Sequence, residues 1–159
     1  MEEDDLPDEP FERYAALILE LCAALDIPDA NAVLRSRRLE FAGFDVVLDY
    51  FPDDPVAMYV LFDYGAATAG RSLPVFRLML ESNLLIYAQD QAQLGLDPDT
   101  GNVLLIVRIP LDGELTGEWL FDTVGHYAEH GKYWRENLIR SPDEIFEGLG
   151  QGQYTWIRA

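Results

Sequence analysis

The string HYAEH places His126, Glu129 and His130 at positions i, i+3 and i+4 of a segment with helical spacing, the HxxEH order of the inverted zinc peptidases. Two imidazoles one turn apart can share a zinc ion while the carboxylate between them acts as general base. A third protein ligand must come from elsewhere. After His130 the remaining carboxylates, Glu136, Asp143, Glu144 and Glu147, lie on the same helix or in a tail with no supporting fold. The reading adopted is two solvated histidines beside a core stripe, with no catalytic residue, metal or cofactor assigned. Phosphate cradles of the GxxxxGK[ST] or GxGxxG type are absent. Asp45, Asp49 and Asp63 alternate with apolar residues, which marks water-facing strand positions more than an acid and base pair. Cys22 lies in an apolar stripe without a basic neighbour, the setting of a buried structural thiol. Arg35, Arg37 and Arg38, around Ser36, make the only basic cluster.

The elements that must position these residues follow from capping and periodicity. Asp8 can cap a helix with Pro10 in its first turn, and Phe11, Tyr14, Ala15, Ile18, Leu21, Cys22 and Leu25 recur at helical spacing. Leu17 and Ala24 widen that stripe on one flank, and Asp26-Ile27-Pro28 ends it. Strands are expected over 38–41, 44–51 and 56–64, divided by Ala42-Gly43 and by Pro52-Asp53-Asp54-Pro55. On their second face Val47, Phe51, Tyr59 and Leu61 stand among Asp45, Asp49 and Asp63, which is unusually apolar for a solvated face. Ser72 reads as the cap of a second helix with two apolar stripes. One is Leu73, Phe76, Leu80 and Leu84; the other is Val75, Leu78, Met79, Leu85 and Ile86. A helix apolar on two sides sits between two bodies, its own sheet and, on this reading, a second copy of the chain. Two further strands flank the turn Asp97-Pro98-Asp99-Thr100-Gly101. A last helix spans about 114–139, with Leu120, Val124, Tyr127, Gly131, Trp134 and Leu138 on one face. Gly125 and Gly131 each cost roughly 1 kcal/mol there against alanine, a cost that close packing would explain.

At 159 residues and 18.0 kDa the chain is expected to form one domain over 10–139, after an acidic flexible leader (1–9) and before an extension (140–159) with a short helix and a flexible end. The 29 carboxylates against 11 cations give a net charge of −18. Removing the leader's six acids still leaves the acids outnumbering the cations about two to one. That field repels nucleic acid and anionic lipid and favours cationic partners. A single cysteine permits no internal disulfide and fits a reducing cytoplasm. The N-terminus lacks a basic segment followed by an apolar run, and no apolar run approaches the roughly 20 residues that span a bilayer, so neither a secretory signal nor membrane insertion is expected.

The order helix, three strands, helix, two strands, long helix resembles the class I type III secretion chaperones, the Tir chaperone (CesT-like) family. The likeness is carried by LGLDPDTGNVLLIVRIPL (94–111), by LMLESNLLIY before it, by Trp134-Arg135 after it, and by ALILELCAALDIP, which is similar to the family's first helix. It covers roughly 11–139. The resemblance implies an α+β fold, a twisted antiparallel sheet of about five strands with three helices, as a homodimer. It further implies a bacterial cytoplasmic chaperone, not an enzyme, that binds the N-terminal segment of a secreted effector in extended form and keeps it export-competent. Delivery to the secretion apparatus, with the secretion ATPase as a further partner, completes the implied role. The apolar surfaces locate the contacts: client on Leu17, Leu21, Ala24, Val47, Phe51, Tyr59 and Leu61, and the second copy on Val75, Leu78, Met79 and Ile86. Other readings stay open at this point: an adaptor or regulator of the same fold with a non-secreted client, a zinc hydrolase on HxxEH, and an acidic decoy for a nucleic-acid-binding protein.

Overall fold

The computed structural model describes residues 9–68, 70–112 and 114–139. Its elements are α1 (Glu9–Ala24), α2 (Ala30–Ser36), β1 (Arg38–Phe41), β2 (Phe44–Asp49), β3 (Ala57–Ala66), α3 (Ser72–Asp90), β4 (Ala92–Leu96), β5 (Asn102–Pro110) and α4 (Gly117–Trp134), closed by a π-helical turn, Arg135–Ile139. The leader up to Asp8 and the extension from Arg140, including its expected short helix, lie outside the described residues.

Period-two alternation dictates the sheet. The five strands pair antiparallel throughout in the order β1-β2-β3-β5-β4. One cross-strand row, Leu39, Val46, Phe62, Leu105 and Leu94, is buried from edge to edge. The helices close that face with Leu17, Ile18 and Leu21 of α1, Val75, Leu78 and Met79 of α3, and Leu120, Val124 and Trp134 of α4, all in one core. Each such side chain contributes on the order of 1.5–3 kcal/mol by leaving water.

Polar groups tie the helices to this face. Glu20 of α1 accepts from the Gly117 N–H at 2.6 Å, at the start of α4, while the Arg13 guanidinium donates to the Leu115 carbonyl. Thr116 is the N-cap of α4, accepting from the Trp119 N–H at 3.1 Å. At the other end Arg135 lies 4.1 Å over the Phe44 ring and donates to the carbonyls of Tyr64 and Asp63, both at 3.1 Å, and of Gly43 at 3.2 Å. Its planar fork serves three acceptors that a lysine could not reach together. The Trp-Arg pair is thus one indole in the core beside one guanidinium that staples the helix end to the sheet. On α3, Asn83 donates to the Leu94 carbonyl at 3.0 Å and accepts from the Leu94 N–H at 2.7 Å. One amide side chain thereby imitates a neighbouring strand on the outer edge of β4.

Several sequence expectations need correction. The described residues hold four α-helices, not three. The extra one, α2, is capped by Asp29, which accepts from Ala32 N–H at 3.0 Å, and it ends at Arg37 with φ of 56°. Seven residues offering one buried side chain, Val33, show no periodicity to read. Ser72 is the first residue of α3 and Arg71 precedes it as N-cap without a side-chain bond. The faces of α3 are also exchanged. Val75, Leu78, Met79 and Ile86 pack into the chain's own core, whereas Leu73, Leu80 and Leu84 are 81%, 71% and 79% exposed. Both stripes are apolar, so composition alone does not orient the helix; the bond pair from Asn83 to β4 does.

The two interior glycines of α4, Gly125 and Gly131, differ in kind. A Cβ at Gly131 would overlap the Tyr64 ring, whereas one at Gly125 would meet only Phe41 at 4.0 Å. Gly131→Ala should therefore lower unfolding free energy by about 1–3 kcal/mol through overpacking. Gly125→Ala should raise it by up to about 1 kcal/mol through helix propensity. Denaturant midpoints of the two variants check this, and equal shifts would remove the distinction.

Candidate functional site

The HYAEH residues are separated by burial. His126 and Glu129 are exposed, while the His130 ring sinks toward β3 with Nδ1 2.9 Å from the Tyr64 hydroxyl. That hydroxyl has one hydrogen, which it donates to the Tyr127 carbonyl at 3.0 Å, so His130 supplies the Nδ1–H and Tyr64 accepts it. Burial, helped by neighbouring His126, lowers the His130 pKa from 6.5 to about 4. Among the described residues no group of three or more His, Cys, Asp or Glu is placed to hold a metal ion. Cys22 is buried in the core, and burial raises its pKa.

The sheet face away from the helices holds the strongest surface. Val47, Leu61 and Ile106 form one cross-strand row on it, and Leu104 follows, paired with Asp63. These four are half-buried yet take no part in the core. Asp49, Tyr59 and Arg108 form the next row. Arg108 grips Asp54 through two bonds of 2.8 and 3.0 Å, and the Tyr59 hydroxyl donates to the same carboxylate at 2.5 Å. These bonds, from Arg108 first and then Tyr59, hold the Asp54 carboxyl below its usual range. Phe51 stands edge-on to Tyr59 at 5.1 Å and is 43% exposed. Val47, Phe51, Tyr59 and Leu61 thus come together on one face as their alternation suggested.

The first-helix residues do not join them. Leu17 and Leu21 are 1% and 0% exposed, because α1 packs against both the sheet and α4 and its widened flank is consumed by α4. Ala24 is exposed at the helix end. The width of the stripe reflects two packing contacts and leaves no free flank at Leu17 or Leu21. Leu104 and Ile106 join the open sheet face because β5 alternates in register with β3, a pattern present in the sequence beyond the hairpin turn. Trp119 is exposed beside Pro110, Tyr127 and His126 in a groove of about 440 Å³ between β5 and α4. A further apolar surface is the outer side of α3, with Leu73, Leu80, Leu84 and Tyr87.

The model of the Tir chaperone protein (CesT) family matches residues 16–135, from within α1 to the arginine that staples α4 to the sheet. This chain belongs to the Tir chaperone protein (CesT) family. The family is one of chaperones. Solved structures agree on the Tir chaperone fold. A chain of the ExsC–ExsE complex superposes with a TM-score of 0.62 at 20% identity, covering 80% of this chain and 94% of that one. A chain of the HopA1–SchA chaperone–effector complex gives 0.57 at 15%, covering 82% and 97%. A chain of the ExoT–SpcS complex from Pseudomonas aeruginosa gives 0.51 at 22%, covering 76% and 95%. No curated protein matches the sequence. No helix among the described residues is long and apolar enough to cross a membrane.

The His130 ring of this Tir chaperone family member has a measurable consequence. Its folded pKa of about 4 lies below the unfolded 6.5, so unfolding takes up a proton at mildly acid pH. The stability carried by the neutral ring is complete above about pH 6.5 and is lost as pH falls toward 4, by up to about 3 kcal/mol. Between pH 7 and 4 the thermal midpoint should fall less steeply in His130→Gln than in the unaltered chain, and nearly as steeply in His126→Gln. Parallel curves for His130→Gln would clear that ring of the effect.

Proposed function

We propose that this chain is a cytoplasmic type III secretion chaperone of a bacterium that binds the N-terminal segment of a secreted effector, holds it extended and soluble, and presents it to the secretion apparatus and its ATPase. Binding is its whole activity, with no catalytic step and no cofactor. The observation that carries the reading is the apolar open face of the sheet, Val47, Tyr59, Leu61, Leu104 and Ile106, in a chain of a chaperone family. Relatives of this fold come from complexes, one of them described as a chaperone–effector complex, which supports an effector as the occupant. An extended segment could also pair with β1, which has a strand on one side only, whereas Asn83 already occupies the β4 edge at Leu94.

A second copy fits the outer side of α3, where Leu73, Leu80 and Leu84 are too exposed for a solitary helix. Self-association through Leu80 and Leu84 is symmetric and apolar, the kind of patch that an isologous contact needs.

Copurification decides between this reading and an adaptor with a resident cytosolic client. A secretion chaperone should carry one or a few exported proteins by their first segment, and that segment should be protected from protease only in the complex. Leu61→Asp should weaken client binding by about thirtyfold to a thousandfold, on the order of 2–4 kcal/mol, while leaving the fold intact. Leu17→Asp should unfold the chain instead, since it puts an unpaired charge into the core.

Light scattering should give about twice 18.0 kDa. Leu84→Asp should return it to one copy with unchanged stability, and Met79→Asp should lower stability because Met79 is in the core. A dimer that survives Leu84→Asp would move the interface elsewhere.

A further inference from the structure

We propose that the client segment seated on the open sheet face is cationic, an extended strand that lays aliphatic side chains on the apolar row and sets a lysine or arginine among the carboxylates around it. The inference rests on the effector-binding reading above and adds the chemistry of the segment.

A groove of about 280 Å³ crosses this face over Val47, Leu61 and Leu104. Asp45, Asp49, Asp63 and Asp97 stand round it, and Arg38 is the one cation among its lining residues. Local bonds leave much of that negative charge in place. Asp63 accepts from the Asn102 amide at 2.9 Å and from the Gly65 N–H at 2.9 Å, and Asp97 accepts from the Asp99 N–H at 2.9 Å; all three donors are neutral. Asp49 has Arg37 at 3.7 Å, a partly exposed pair of little strength. Among the described residues no hydrogen bond or ion pair reaches the Asp45 carboxylate. Asp45 and Asp63 also line a second groove of about 450 Å³ with Glu40, where Arg135 is the one cation against three carboxylates and its guanidinium donates to the carbonyls of Tyr64, Gly43 and Asp63.

This combination selects its occupant. A purely aliphatic segment would strip water from the carboxylates and give nothing back, which is costly. A lysine or arginine stem lies along leucine while its head stays among carboxylates and water, so one side chain serves both parts of the groove. A second copy related by a two-fold axis would bring the same four carboxylates against themselves. Nucleic acid and anionic lipid are repelled by the rim and by the net charge of −18.

Two capped hexapeptides test the inference, one alternating leucine and arginine and one alternating leucine and glutamine, each titrated into the full methyl-labelled chain. The Leu/Arg peptide should shift the methyl signals of Val47, Leu61 and Leu104, bind about tenfold or more tighter than Leu/Gln, and weaken about tenfold as salt rises from roughly 50 to 300 mM. Asp45→Lys should weaken it by about tenfold and Asp45→Asn by less, while Asp122→Lys, the same charge change on α4, should have little effect. Equal affinity for the two peptides, equal loss in Asp45→Lys and Asp122→Lys, no methyl shifts, or shifts that grow with protein concentration before peptide is added each overturn it, the last because a second copy then covers the face. If the selectivity is found and no exported protein copurifies, the cationic groove stands and the secretion reading falls. If an exported client copurifies and the selectivity is absent, the reverse holds.

Discussion

Closing one face of a five-stranded sheet with few helices requires at least one of them to lie directly on the strands. The contact of α4 with β3 is that place. Gly131 has no side chain to keep the helix off the Tyr64 ring, and the Tyr64 hydroxyl then joins α4 twice, through the Tyr127 carbonyl and His130. One residue further on from the buried Trp134, Arg135 locks the helix end to three carbonyls at the end of the sheet. With α4 so placed, α1 must fill the space beside it, which is why its stripe is wide and why Gly117 is pressed against Glu20.

That arrangement spends the helices on a single face. α3 lies at the β4 edge, held by Asn83, and can bury only one of its two apolar stripes; the other remains a row of exposed leucines. The far face of the sheet keeps an apolar centre with an acidic rim. A chaperone needs such surface: apolar enough to hold an unfolded segment, charged enough to stay in solution while empty. The two surfaces differ in character. One is a bare leucine stripe on α3, Leu73, Leu80 and Leu84; the other is an apolar row, Val47, Leu61 and Leu104, ringed by carboxylates.

The half-buried His130 belongs to the contact of α4 with β3. In HYAEH the two imidazoles lie one turn apart on α4, His126 exposed and His130 half-buried against the Tyr64 hydroxyl of β3. Residues four apart on a helix lie on one face, so what separates the two rings is the neighbour each meets, and a motif match says little until those neighbours are known.

Much of the architecture was legible in local patterns. The inward residues Phe44, Val46, Leu48 and Tyr50 and Met58, Val60, Phe62 and Tyr64, the turn at 97–101 and the stripe Leu120, Val124, Tyr127, Gly131 and Trp134 each depend on residues near in sequence and lie where expected. The strands expected over 44–51 and 56–64 instead run 44–49 and 57–66, with Val56 exposed and Ala57 buried. The short helix α2 was not legible, because seven residues with one buried side chain have no period. By itself the sequence determined the α+β order, the inward face of each strand and the acidity of the surface, since these follow from periodicity and composition. Only the tertiary structure decided which stripe of α3 and which flank of α1 meet water: both sides of those helices are apolar, and the choice is made by distant partners, Asn83 with Leu94 and Glu20 with Gly117, that no local pattern reveals.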